Sequence, residues 1–274
     1  MKRRKRKFHF ERLLILLVVG ALIICIGILL IVKKDANEDN KSVLKGIVDS
    51  TAESAGSFYY KDGLMYFDNE NYESITGIDV SEYQHEIDWN AVKNDGIDFV
   101  MIRCGFRGAE GGVLYEDEMY RDYIQGALDV GLDVGIYFFS SALTDEEIEE
   151  EVEFVDSLIS DYDISYPIAY DMEYYENGRI LSLSIEEKTR FAKYFCDAFN
   201  EKGYQTLIYG NKNWLENNLD IQSLYKNYDF WYAAYIEKPE LNYPFVMWQY
   251  TSEGIVNGID TNVDIDLYVK KKVE

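Results

Sequence analysis

The sequence predicts an α/β protein, an irregular TIM-like barrel of five βα units followed by three strands, behind an N-terminal transmembrane helix. Three observations carry this reading. Twenty apolar residues, Leu13 to Val32, contain no charge; at 1.5 Å each they span about 30 Å, the hydrocarbon thickness of a bilayer. Beyond Ile75, short apolar strands alternate with amphipathic helices, which argues for parallel pairing through right-handed crossovers. Eight strand patterns occur in all, enough to close a barrel, and the last three are joined by loops too short or irregular for full helices.

Residues 1–12 form a basic head containing "KRRKRK". Nine of the 27 Lys and Arg lie in residues 1–34, against one acid, Glu11. The heavier positive flank precedes the apolar run (residues 13–32), which sets the N-terminus in the cytoplasm and the rest outside the cell. A cleaved signal peptide has an apolar core of about 7 to 15 residues and a small-residue cleavage site; "LLIVKKDAN" offers a poor one. Residues 33–56 are polar and small, a stalk whose mean reach, if flexible, is about 25 Å. Residues 57–75 contain "SFYYKDGLMYFDNENYES", two aromatic runs around a "KDG" turn, read as a short hairpin on the edge of the main domain.

The barrel occupies residues 76–274. Its strands are "TGIDVS", "FVMIRCG", "DVGIYFFS", "PIAYDME", "QTLIYGN", "FWYAAY", "FVMWQYT" and "VDIDLYV". Between the early ones lie the helices "DWNAVKNDG", "DEMYRDYIQGALDVG", "TDEEIEEEVEFVDSLIS" and "SIEEKTRFAKYFCDAFNEKG". Gly131 and Gly203 stand in C-terminal capping positions, and Thr144 with Glu147 forms a capping box. The run "DEEIEEEVEF" reads as a solvated helix face.

Composition narrows the chemistry. At 47% hydrophobic and 15% aromatic, the 274 residues can bury a sizeable core. Outside the first 34 residues, 18 basic face 49 acidic residues, a formal net charge of −31 that repels nucleic-acid phosphates. The only histidines are His9 and His85, and Cys104 and Cys196 sit in apolar patterns; a His-based triad, a metal centre or a disulfide framework has no support, and no cofactor is implied.

What remains is carboxylate chemistry. In barrels of this kind reactive groups collect at the C-terminal ends of the strands. Those ends supply Asp79, Arg103, Tyr137, Asp171, Glu173, Tyr209, Tyr232, Trp248, Gln249, Asp264 and Asp266. Asp171 and Glu173, two apart in "PIAYDMEYYENG", fall on one strand face at roughly 6 to 7 Å, where like charge raises a pKa towards that of a general acid. Acids among aromatic rings suit sugars, because rings stack on the apolar faces of pyranoses while acids serve the glycosidic bond.

The blocks "GIDVSEYQHEIDWNAVKNDGIDFVMIRCGFRG", "VGIYFFSSA", "YPIAYDMEYY", "GYQTLIYGNKNWL", "YDFWYAAY" and "FVMWQYTSEGIVNGIDTNVDIDLYV" resemble, in order and without a large gap, glycoside hydrolase family 25, the Chalaropsis-type lysozymes or N-acetylmuramidases. The resemblance implies hydrolysis of the β-1,4 bond between N-acetylmuramic acid and N-acetylglucosamine in peptidoglycan. It implies catalytic positions at Asp79, Asp171, Glu173 and Asp264, with Glu173 as general acid and Asp171 orienting the substrate's N-acetyl group or assisting its partner. The nucleophile is either the substrate's own acetamido oxygen or a water held by Asp79 and Asp264. Tyr137, Tyr209 and Trp248 match groove-lining aromatics, and Tyr232, Gln249, Arg103 and Asp266 complete the expected substrate contacts. Two positions depart from the family: Phe138 stands where many members have His, and Asp266 where many have Asn. The expected partners are peptidoglycan strands and, through the single helix, the cell membrane, for local wall remodelling or passage of an unidentified assembly through the wall. The alternatives are a catalytically silent tethered glycan-binding module and a barrel glycosidase for another N-acetylated glycan.

Overall fold

A computed structural model describes residues 58–70 and 72–272. The basic head, the apolar run Leu13 to Val32 and the stalk lie outside the described residues, among which no helix is long and apolar enough to cross a membrane. The chain opens with a hairpin, β1 (Phe58–Lys61) and β2 (Leu64–Phe67), whose two-residue turn puts Asp62 and Gly63 at φ 53° and 87°, the left-handed pair that Asp-Gly favours.

Eight strands then close a ring: β3 (Tyr72–Val80), β4 (Phe99–Arg107), β6 (Asp133–Phe139), β7 (Ile168–Asp171), β8 (Thr206–Asn211), β9 (Asp229–Ala233), β10 (Met247–Gly254) and β11 (Val263–Lys271), with β5 (Leu114–Glu116) paired outside it on β4. Neighbours run parallel except β11, which is antiparallel to both β10 and β3. The helices are α1 (Trp89–Asn94), α2 (Tyr120–Asp129), α3 (Asp145–Ile159), α4 (Ile185–Glu201), α5 (Lys212–Asn217) and α6 (Ile221–Leu224).

The closed eight-stranded barrel agrees with the sequence reading, but the molecule is richer in strand than five regular βα units. β5 is an addition, the first crossover holds a six-residue helix, and the fifth is split in two. The split follows from local chemistry. Asn217 and Asn218 are weak helix formers, and Asp220 starts a new helix by accepting from the Ser223 N–H at 3.3 Å. Gly131 and Gly203 adopt φ 71° and 93° past α2 and α4, as their capping positions require. The reciprocal capping box belongs to Ser184 and Glu187 on α4; Thr144 caps α3, while Glu147 turns instead to the Leu143 N–H.

Side chains fill the barrel from its N-terminal end. Phe99, Tyr166 and Tyr268 pack there with ring centroids 4.8 to 6.3 Å apart. A Cβ on Gly77 would stand 2.2 Å from the Phe99 ring, so that strand position must be glycine for the plug to fit.

No α-helix separates β9, β10 and β11, and the hairpin packs on the outer face of β10. Phe58 meets the Trp248 indole edge-on at 5.4 Å, Tyr60 meets Tyr250 at 6.3 Å, and the Met65 N–H donates to the Tyr250 hydroxyl at 3.2 Å. Trp248 is thereby wholly buried between sheet and hairpin. Trp248→Ala should cost about 3–5 kcal/mol in denaturant unfolding of the full chain; a loss below about 1 kcal/mol would contradict this packing.

Candidate active site

Alternation along the strands decides which residues reach the lumen. At the C-terminal mouth, Asp79 of β3, Arg103 of β4, Tyr137 of β6 and Asp171 of β7 line a cleft of about 520 Å³. Tyr209 of β8, Trp231 of β9, Gln249 of β10 and Asp264 of β11 complete its wall, with Glu173 just beyond β7. Thus eight of the eleven residues read from the sequence converge.

Asp171 and Glu173 share the lumen side because Tyr170 and Met172 face outward, Tyr170 against Phe195 at 5.1 Å. Burial pushes the Asp171 carboxyl well above the usual range; the charge of Glu173 adds to this and Arg103 opposes it. Burial also raises Glu173, followed by the charge of Asp264. Like charge was the expected cause at this pair, and desolvation exceeds it. Asp264 is pushed to about 6 by burial against the pull of a backbone N–H, and Asp79 rises well above its ordinary value through burial, then Asp264 and Asp266. Asp171 Oδ1 is buried without a hydrogen-bond partner among the described residues.

The other wall is aromatic and amide. Tyr209 and Tyr137 flank the Trp231 ring at 4.8 and 5.9 Å. The hydroxyls of Tyr209 and Tyr235 donate to Gln249 Oε1 at 2.9 and 3.0 Å, and Gln249 Nε2 donates to Asp79 Oδ2 at 2.7 Å. Arg103 donates to Asp117 at 2.8 Å, pairs with Glu82 at 3.1 Å, and lies over the rings of Tyr83 and Phe106.

Three expected contacts fall elsewhere. Tyr232 faces outward against Phe245 at 5.5 Å, because its neighbour Trp231 takes the lumen position. Trp248 lies under the hairpin, since Gln249, adjacent on the strand, points inward. Asp266 faces the lumen but lies fully buried below the cleft, accepting from Trp231 Nε1 at 2.7 Å. Phe138 packs outward on Phe154 of α3, away from the cleft. The reading missed Trp231, Glu82, Tyr83, Phe106, Tyr175 and Tyr235, which also line the cleft. Glu82, Tyr83, Tyr175 and Tyr235 stand two to four residues past a strand end ("VSEY", "DMEYY", "YAAY"), and that offset was the available signal; Trp231 and Phe106 lie within their strands.

Behind the cleft lies a buried ionic support. The Ser140 N–H donates to the Asp171 carbonyl at 2.7 Å, and its Oγ donates to Glu151 Oε2 at 2.7 Å. Arg107 Nε donates to Glu151 Oε1 at 2.8 Å. The acidic run of α3 is therefore only partly a solvated face: Glu151 is fully buried, and burial pushes its carboxyl to about 7 against Ser140 and Arg107. Arg179, paired with Glu147 at 2.8 Å, ties the segment after Glu173 to the same helix. Glu151→Ala leaves the buried Arg107 guanidinium with only the exposed Glu150, at 3.1 Å, as a charged partner, and should cost about 3 kcal/mol in equilibrium unfolding; an unchanged midpoint would rule out the network as a support.

Carboxyls from several strand ends around an aromatic groove define a barrel of the glycosidase class. Residues 78–259 match the model of the glycosyl hydrolases family 25, and the chain belongs to that family. It is 31% identical over 193 residues to the autolytic lysozyme of Clostridium acetobutylicum, covering 70% of this chain and 55% of that protein. Among solved structures it is similar to the modular autolysin LytC of Streptococcus pneumoniae, determined with a synthetic peptidoglycan ligand, at 26% identity and TM-score 0.63 over 77% of this chain and 52% of that one. A family 25 glycosyl hydrolase of Bacillus anthracis shares the fold at 22% identity and TM-score 0.63, covering 77% and 92% of the two chains. The chain thus spans about half the length of the clostridial lysozyme and of LytC.

Proposed function

We propose that this chain is a membrane-anchored N-acetylmuramidase that cleaves the β-1,4 bond between N-acetylmuramic acid and N-acetylglucosamine in peptidoglycan. The observation that carries the reading is the Asp171–Glu173 pair on the lumen face at the end of β7, both carboxyls raised, opposite an aromatic wall. Family membership and the peptidoglycan ligand bound to LytC support the substrate class.

Glu173, more accessible than Asp171, donates its proton to the glycosidic oxygen as the bond breaks. Asp171 holds the acetamido group of the cleaved sugar: its partnerless Oδ1 accepts the N–H, which turns the acetamido oxygen towards the anomeric carbon as internal nucleophile. Water then adds at that carbon as its bond to the acetamido oxygen breaks, restoring the acetamide, and a proton of the water passes to Glu173, which regains its acid form. The exposed cleft rings Tyr83, Tyr175 and Tyr235, with the part-buried Tyr209, supply ring faces for the pyranoses. The acid must be protonated to act, and its folded pKa lies above the ordinary carboxylate value, so the rate should hold at acidic pH and fall as pH rises through that raised pKa.

Glu173→Gln should lower release of sugars from purified peptidoglycan by about 10²- to 10⁴-fold, and mass spectrometry should find muramic acid at the reducing end of the wild-type products. Binding without release by either protein would favour a tethered binding module; cleavage of other N-acetylated glycans alone would favour the different glycosidase.

The apolar run and its basic flank support a barrel held outside the cell membrane with the N-terminus in the cytoplasm, which would confine hydrolysis to wall near the membrane, as local remodelling or passage of an assembly through the wall requires. Deleting residues 13–32 should move the chain from the alkali-washed membrane fraction to the soluble one; if the intact chain is itself soluble, the anchor is refuted.

A further inference from the structure

Beneath the cleft, Asp266 is fully buried, with Trp231 Nε1–H on Oδ1, while its equally buried Oδ2 receives no N–H or neutral hydroxyl. The carboxyl it faces is that of Asp79, within hydrogen-bonding reach once one of the two carries a proton. The backbone enforces the meeting: in the β11–β3 ladder Asp264 stands opposite Asp79 and Asp266 opposite Gly77, so the three acids share the lumen face. Two carboxylates in such contact repel unless a proton lies between them. Neutral donors reach the pair, but among the described residues no positive charge does. Asp264 faces it from β11, Gln249 from β10 and Trp231 from β9; the phenols of Tyr137, Tyr209, Tyr235 and Tyr250 are the other titratable groups that act on it. Among the described residues no Lys or Arg contacts either carboxyl, and Arg103 is engaged by Asp117 and Glu82.

We propose that Asp79 and Asp266 share one proton, carried on Asp79 and donated to Asp266, so that Asp79 enters the cleft as a neutral acid with Asp266 as its positioning residue. Each carboxyl already accepts one N–H, and the proton falls on Asp79 because Asp264 stands directly opposite it in the ladder and repels a charge there more than one on Asp266, which lies deeper. Asp266 is then a carboxylate satisfied at both oxygens, by an indole N–H and by an acid O–H. Burial raises both groups well above the ordinary range, in keeping with a retained proton. An Asp79 that is already protonated cannot take a proton from water, which removes it as a general base and leaves one charge fewer beside Asp264 and Glu173. The functional meaning rests on the muramidase reading; the shared proton does not.

The test is ¹³C NMR of the full chain in detergent, with aspartate carboxyls labelled, at neutral pH and without substrate. A protonated-carboxyl signal is expected that is lost in both Asp79→Asn and Asp266→Asn and retained in Asp264→Asn. Absence of the signal, or its survival in Asp266→Asn, overturns the proposal. Should a variant not fold, the wild-type titration decides: the two carboxyls should respond to one common protonation step, and two independent titrations would refute sharing. Failure of glycan release leaves this readout untouched, so the two readings fail separately.

Discussion

Closure of the sheet by a strand that runs backwards is the constraint on which the other features depend. β11 lies antiparallel between β10 and β3. An antiparallel neighbour needs no crossover helix, so the outside of this sector is left without one, and an aromatic hairpin lies against it. The same reversal brings the N-terminal end of β11 to the mouth. Asp264 and Asp266 therefore meet Asp79 there, although a parallel strand in that place would have sent its C-terminal end to the cleft.

The cost of that arrangement is electrostatic. Of Asp79, Asp171, Glu173, Asp264 and Asp266, only Asp171 is relieved by a guanidinium, that of Arg103, which two other acids already hold. Burial is the leading cause of the upward shift at each of the five carboxyls, ahead of any neighbouring charge. Low dielectric penalises the charged form, so the site settles by retaining protons and using neutral donors such as the Gln249 amide and the Trp231 indole. A glycosidase needs at least one carboxyl protonated near neutral pH, and desolvation supplies that condition before any substrate arrives.

How much of this was legible in the sequence depended on whether a strand's two faces differ in polarity. On β7 they do: Asp171 and Glu173 could be assigned to one side because Tyr170 and Met172 occupied the other. On β10 the polar Gln249 should have fixed the phase and sent Trp248 outward, since adjacent residues cannot both face the lumen; reading strand ends without alternation put both there. On β9 no such cue exists, because Phe230, Trp231 and Tyr232 are all aromatic and all buried. Glu151 was hidden for a different reason. Its partners Arg107 and Ser140 lie 44 and 11 residues away, so nothing local separates it from the solvated acids around it. The barrel itself was legible because it depends on rhythm alone, whereas the splitting of its fifth crossover depended on two asparagines and a capping aspartate.

β10 also couples the outside of the barrel to its chemistry. Trp248 and Gln249 share one peptide plane: the indole is fixed by Phe58 and by its N–H to the Ala234 carbonyl at 2.9 Å, and the amide holds Asp79 at 2.7 Å. Interiors packed at crystal density transmit small displacements, so a strand seated by the hairpin sets where the Gln249 amide stands. That amide accepts from two phenols and donates to one acid; the phenols could accept instead, but reversed its oxygen would face the accepting Oδ2 of Asp79, and that contact fixes its orientation. The hairpin, the first described element and the one nearest the N-terminal segment, is thus joined through adjacent side chains to the floor of the cleft.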